Sequence, residues 1–261
     1  MAYRYISLTL VLLFLPLFLT AQSQRGEYLK IDYLNVTAEQ MQNFNENVID
    51  QIKDYKDERL ANGDIDSWIL YRVLFSGSAS SNYNFVSITS TSMLDAFDAF
   101  NNNFQNAMGE MSEDNQFDIS KSELWTVRNT MTDVITEEPS HFLMMDYMHV
   151  KLGRELEYQM LEDEVAKPLH EMRLENERMD DWEMYQLITP GGIDYGYNFA
   201  TGNYFEKLSH IEFGFNEELI RSQNPDVDIM EFFEQVWSTR DLVKSELWQR
   251  LEFSIPAMQP N

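Results

Sequence analysis

The sequence predicts an α+β fold, two tandem ferredoxin-like βαββαβ repeats packed sheet to sheet as a pseudo-twofold, eight-stranded α/β barrel. Three observations predict it. Sliding the 261-residue chain against itself by 114 positions aligns the stretch from Tyr28 to Val36 with that from Phe142 to Val150, and gives 16 identities over the 67 positions from Tyr28 to Leu94. After nine extra residues in the second copy, Lys121-Ser122-Glu123-Leu124-Trp125 recurs as Lys244-Ser245-Glu246-Leu247-Trp248. Within each copy the strand and helix patterns follow the order β, α, β, β, α, β. A period this long is no solenoid, so each copy should be a small folding unit of its own.

In chain order, Arg4 precedes the apolar run Ile6 to Leu19 and the small or polar Thr20, Ala21, Gln22 and Ser23, the layout of a secretory signal peptide over residues 1–23. The run is shorter than a membrane-spanning helix needs, and Pro16 interrupts it. Residues 24–138 then form repeat 1 and residues 139–261 repeat 2. Residues 28–36 read as a strand, and 38–60 as a helix with Met41, Phe44, Val48, Ile52 and Tyr55 at helical spacing. Asn62-Gly63 stops that helix. Trp68 to Phe75 and Tyr83 to Thr89 are strands flanking a polar turn, Ser76 to Asn82. Met93, Phe97, Phe100, Phe104 and Met108 mark a second helix. A short helical piece from Ile119 to Glu123 should lead into a last strand starting near Trp125, and the second copy should carry a fuller extra helix from Pro225 to Trp237.

That order has a physical consequence. Both helices of such a unit cover one face of its sheet and leave the other face, rich in Tyr, Phe and Leu, in need of cover. Two copies in one chain can cover each other, so the expected state is a monomer with pseudo-twofold symmetry.

Composition bounds the chemistry. The absence of cysteine excludes disulfides and thiolate metal sites. A net charge of -25 repels phosphate backbones and anionic head groups, so no nucleic acid and, after signal removal, no membrane is expected as a partner. Phosphate loops, dinucleotide glycine turns, nucleophile elbows and zinc-helix motifs are missing from the sequence. The expected partner is a small apolar or aromatic ligand.

Lys167-Pro168-Leu169-His170, Asp181-Trp182 with Tyr185, Pro190-Gly191-Gly192 and Tyr197-Asn198-Phe199 carry a resemblance. The repeat resembles the dimeric α/β-barrel superfamily, with its NIPSNAP, EthD-like and antibiotic-biosynthesis monooxygenase proteins, in fused two-copy form, and these motifs are similar to those of secreted bacterial members. The resemblance implies the fold and, by analogy, oxidoreductase chemistry with no cofactor or with haem; it brings no catalytic residue with it.

Internal symmetry filters the site candidates. A residue kept in both copies is most simply packing, and a polar residue in one copy only is a better candidate. Trp68, Trp182, Tyr71 and Tyr185 therefore read first as core, with ligand stacking by Trp68 and Trp182 the weaker reading. Asp32 and Asp146, carboxylates inside strands, need partners and could face each other across the pseudo-dyad. His149 replaces Asn35, His170 replaces Lys56 and His210 replaces Ala96. Alternation puts His149 on the side of Tyr147 and opposite to Asp146. Arg72, where the second copy has Gln186, would anchor a carboxylate if its face lined the cavity, and Lys30 is a similar candidate. The catalytic candidates are thus His149, Arg72, Asp146 and Tyr147, and the ligand-binding candidates Asp32, Lys30, Trp68 and Trp182. No cofactor or metal is expected, haem on His149 being the alternative. Three functions compete: a secreted small-molecule-binding protein with an apolar and aromatic cavity in the α/β barrel, between or beneath the two sheets; a monooxygenase-like oxidoreductase, cofactor-free or haem-dependent; and a structural or partner-binding module whose barrel is filled by side chains.

Overall fold

Strand alternation sets the architecture. In β1 (Tyr28–Asn35) Leu29, Ile31 and Tyr33 point to one side, while Tyr28 and Leu34 join the core on the other. The same division recurs in β5 (Phe142–Val150), with Leu143, Met145 and Tyr147 against Phe142, Met148 and Val150. A strand with apolar residues on both faces must be covered on both. The computed structural model describes residues 27–76, 82–97, 117–132 and 138–256, apart from 215, 224 and 227. The signal segment, most of the polar turn after Phe75 and the stripe Phe100, Phe104 and Met108 lie outside the described residues.

The remaining strands are β2 (Ser67–Leu74), β3 (Phe85–Thr91), β4 (Asp118–Thr130), β6 (Asp181–Thr189), β7 (Phe199–Phe205) and β8 (Arg240–Ser254). Each repeat contributes a ferredoxin-like sheet, β4-β1-β3-β2 and β8-β5-β7-β6. The two sheets join edge to edge, β2 to β8 and β4 to β6, and close an antiparallel barrel. Closure leaves no strand edge open and turns both bare faces inward. Registers repeat between copies down to a bulge, Tyr33/Leu34 against β4 and Tyr147/Met148 against β8.

Helix α1 runs through Met41–Asn43, a π-helical turn Phe44–Val48 and Ile49–Ala61; helix α2 runs through Glu155–Leu161, a π-helical turn Glu162–Ala166 and Lys167–Glu175. Gly63 ends the first in the left-handed region at φ 74°, and Glu177 takes up that conformation at φ 55° in the second. Duplicated side chains do duplicated work. Asn84 bridges both backbone groups of Val36 at 2.9 and 2.7 Å, and Asn198 bridges those of Val150 at 2.8 and 3.0 Å. Lys53 donates to the Phe253 carbonyl at 2.9 Å and Lys167 to that of Thr130 at 3.0 Å, so each helix pins the last strand of the other repeat.

Two expectations need correction. The stretch from Ile119 to Glu123 is strand, because β4 pairs with β1 from Asp118 onward and needs Lys121, Glu123 and Trp125 on one face. The extra helix begins later than Pro225. Short α3 (Glu217–Gln223) precedes α4 (Ile229–Thr239), whose first N–H groups, those of Met230 and Glu231, are capped by Asp228 at 2.9 and 3.2 Å.

Candidate functional site

The centre of the barrel is packed and polar, and a cavity of about 120 Å³ lies at one end of the interior, lined by Leu29, Ile69, Tyr71, Ile88, Glu183 and Tyr204. Tyr33 and Tyr147, equivalent residues of the two copies, touch through their hydroxyls at 2.8 Å. Glu123, 1% exposed, accepts from Tyr33 at 2.7 Å, Lys121 at 2.7 Å, Trp125 at 3.1 Å, and the hydroxyls of Tyr195 and Tyr197. Its counterpart Glu246 accepts from Tyr83 at 2.5 Å, Lys244 at 2.9 Å and Trp248 at 3.2 Å. Burial pushes Glu123 upward, but the Lys121 ammonium and the donated hydrogen bonds outweigh it and hold the carboxyl below its ordinary range. Burial, with the Glu123 charge adding to it, raises Tyr33, Tyr195 and Tyr197 above the usual phenol range, which keeps them as donors. This network knits the two repeats together and leaves little room for a ligand among its aromatic rings.

A larger space lies outside the barrel. A cavity of about 260 Å³ lies between the outer face of β5, β7 and β8 and the helices α2 and α4. Comparison of the copies shows how it arises. Where repeat 1 has Phe44, Val48, Ile52 and Phe117, all buried, repeat 2 has Tyr158, Glu162, Ala166 and Arg240. In repeat 1 Phe44 packs on Phe85 and Phe117 with ring centroids at 4.7 and 5.9 Å, which closes the space. In repeat 2 the change to alanine removes volume and the other three bring polar atoms, among them a carboxylate on a π-helical turn.

Asp146, Glu162, Asn203 and Arg240 supply polar groups to an otherwise largely apolar wall. Asp146 accepts from Ser245 and, at 3.2 Å, from Asn203. Burial raises it above the ordinary range even so. Burial likewise raises Glu162, with Arg240 and the Tyr158 hydroxyl acting against the rise. His170 also lines the cavity, its ring stacked on Trp182 at 5.3 Å, and burial with the Arg173 charge pushes it down to about 3. Arg173 Nη1 lies 3.2 Å from His170 Nδ1. A guanidinium only donates, so Nδ1 accepts and the ring proton sits on Nε2.

The structure scatters the catalytic candidates. Tyr147 belongs to the interior network, and His149 lies on the same side of β5, half-buried at the strand's end. Asp146 points outward into the cavity. Arg72 is exposed and shares the outer side of β2 with Trp68 and Leu70, so it lines no chamber with the others. Asp32 and Asp146 do not face each other. Because Tyr33 and Tyr147 point inward, their neighbours point outward, and Asp32 binds Lys30 at 2.9 Å and Ser122 beneath its own repeat's helix layer. Trp68 is core and donates to Ser87 at 2.8 Å; Trp182 is core too, but backs His170 at the cavity. Glu162 and Arg240, polar where repeat 1 has Val48 and Phe117, satisfy the one-copy filter along α2 and at the start of β8, whereas Ala166, being apolar, lies outside it.

No protein-family model matches the chain, and no curated protein matches it. Solved structures do. A candidate monooxygenase from Lactobacillus acidophilus superposes with a TM-score of 0.57 at 8% identity, over 88% of this chain and 96% of its own. One from Fusobacterium nucleatum gives 0.55 at 11% identity, over 87% and 94%. A candidate chlorite dismutase gives 0.50 at 10% identity, over 86% and 94%. At these identities the likeness is one of fold. The protein shares the fold of these structures, a closed eight-stranded antiparallel barrel with flanking helices, here with both halves in one chain.

Proposed function

We propose that this chain is a small-molecule-binding protein whose ligand lies in the cavity beneath α2 and α4 of repeat 2. The observation that carries this reading is the divergence of the copies, because the space filled by Ile52 and Phe117 in repeat 1 is opened and polarised in repeat 2. A mostly apolar wall with a few convergent polar groups suits a small aromatic or alicyclic molecule bearing one polar head. The apolar segment before Ser23 supports export of the mature protein, and the self-covering barrel supports a monomer. Native mass spectrometry of chain purified from its own source should show a bound small molecule. Ala166→Ile, which restores the repeat 1 residue, should lose it, and retention by that variant would sink the reading.

Haem does not fit the α2–α4 cavity. The cavity is small for a tetrapyrrole, and His170, with its proton on Nε2 and its Nδ1 engaged by Arg173, offers no lone pair to iron. His149 does not line that cavity.

A second reading is oxidation of the bound ligand without a cofactor, favoured by the buried Glu162 beside Tyr158 and by the fold shared with candidate monooxygenases. The Glu162 carboxylate would take a proton from an activated methylene, and dioxygen would oxidise the resulting carbanion to a carbonyl, its second oxygen leaving as water. Oxygen uptake with anthrone-type or phenolic probes, abolished by Glu162→Gln, tests it. Equal uptake by the variant would remove Glu162 from the chemistry.

A further inference from the structure

The ends of α1 and α2 differ in a second, independent way. In repeat 1 Arg59 of the last helical turn meets Asp64, Nη1 to Oδ2 at 3.1 Å, while the Asp64 N–H donates to the Arg59 carbonyl at 2.9 Å. In repeat 2 Arg173 stands for Arg59 and Arg178 stands for Asp64. The backbone is the same, with the Arg178 N–H donating to the Arg173 carbonyl at 2.8 Å. A position that supplies a carboxylate in one copy supplies a second guanidinium in the other.

Arg173 is 5% exposed, and its Nε is buried with no hydrogen-bond partner. Among the described residues no carboxylate forms an ion pair with Arg173 or Arg178; Asp146 acts on Arg173 only from a distance. Burial lowers the guanidinium to about 10. Both arginines line a cavity of about 260 Å³ with Asn176, Asn216, Phe213 and Leu219, and the Arg178 guanidinium lies 3.9 Å from the Phe213 ring centroid. None of its lining residues is acidic, in a chain with 44 acidic and 19 basic residues. A buried cation without a counter-ion is costly, and a guanidinium fork matches a carboxylate in two parallel bonds.

We propose that Arg173 and Arg178 form a binding site for a small organic carboxylate, which takes the place that Asp64 occupies in repeat 1, with Phe213 and Leu219 against its apolar body. The site is distinct from the α2–α4 cavity and does not rest on it. Isothermal titration of the purified chain with benzoate, and separately with inorganic phosphate, at low ionic strength tests the proposal. Benzoate should bind the unmodified chain, and Arg178→Asp, which rebuilds the internal ion pair, should weaken binding at least about tenfold. Arg178→Gln, which removes one cation without adding a carboxylate, should fall between them. Absence of benzoate binding to the unmodified chain, or equal binding by folded Arg178→Asp and Arg178→Gln chains, would overturn the site. Tighter binding of phosphate than of benzoate would overturn its assignment to carboxylates.

Discussion

Tyr33 and Tyr147, 114 positions apart, share one hydrogen bond of 2.8 Å on the pseudo-twofold axis. The Tyr33 hydroxyl donates its proton to Glu123, so Tyr147 donates to Tyr33 and the chain of bonds runs one way across a symmetric site. Tyr33→Phe should cost about 1–3 kcal/mol, since it strips a donor from buried Glu123 and leaves Tyr147 without its acceptor. Tyr147→Phe should cost roughly 0.5–1.5 kcal/mol. Urea denaturation of both single variants and the double variant checks the order; equal costs would mean that the bonds do not run in that direction.

Glu123 ties stability to acid pH. Its folded pKa lies below its unfolded value of about 4.3, so its contribution is full above that pH and fades as pH falls through the folded value. Asp146 and Glu162, raised in the fold, run the other way, so whole-protein curves mix opposite slopes. The difference between the unmodified chain and Glu123→Gln isolates the Glu123 part. At neutral pH that gap should be roughly 3–5 kcal/mol, because Lys121 loses its partner. It should narrow steadily below about pH 4; a gap independent of pH would contradict the assignment.

Lys56 reports burial from the opposite side. Enclosed under α1 and bonded to Thr89 at 2.8 Å, it is pushed down to about 7 by desolvation, against the pull of Asp32. Between about pH 7 and 10.4 the unfolded chain holds a proton there that the fold does not, so stability should rise with pH across that window. Lys56→Met should remove this rise, and unfolding midpoints at pH 6.5 and 9.5 would show it.

Gly202 makes room for Tyr185, whose hydroxyl meets Glu183 and, at 2.7 Å, the Tyr204 hydroxyl. A Cβ there would stand 2.9 Å from the Tyr185 hydroxyl and 3.2 Å from Leu143, where the first copy has Ile88. Gly202→Ala should therefore cost about 1–3 kcal/mol by displacing Tyr185 from Glu183 and Tyr204. A melting temperature within a degree of the unmodified chain would show that Tyr185 can move without loss.

The repeated Lys-Ser-Glu-Leu-Trp segment shows where sequence reading reaches its limit. Its recurrence announces the duplication, but a lysine and a glutamate two apart ahead of a tryptophan read as a solvated helical turn. Only closure of the barrel places Lys121, Glu123 and Trp125 on an inward face beside Tyr197 and Tyr33. The symmetry filter meets the same limit: at a pseudo-twofold axis, residues kept in both copies meet each other, as Tyr33 and Tyr147 do. Away from the axis the filter meets no such conflict: Glu162, Arg240 and Arg178, at the two proposed sites, are polar residues of one copy only.

The sequence by itself determined the duplication, the order of elements and the need to bury two apolar sheet faces, because periodicity and composition are local properties of the chain. The tertiary structure alone decided which face of each strand looks inward, how the two sheets share their edges, and which diverged side chains surround a space. Those outcomes depend on contacts between residues more than a hundred positions apart, and no local pattern encodes the distance between them.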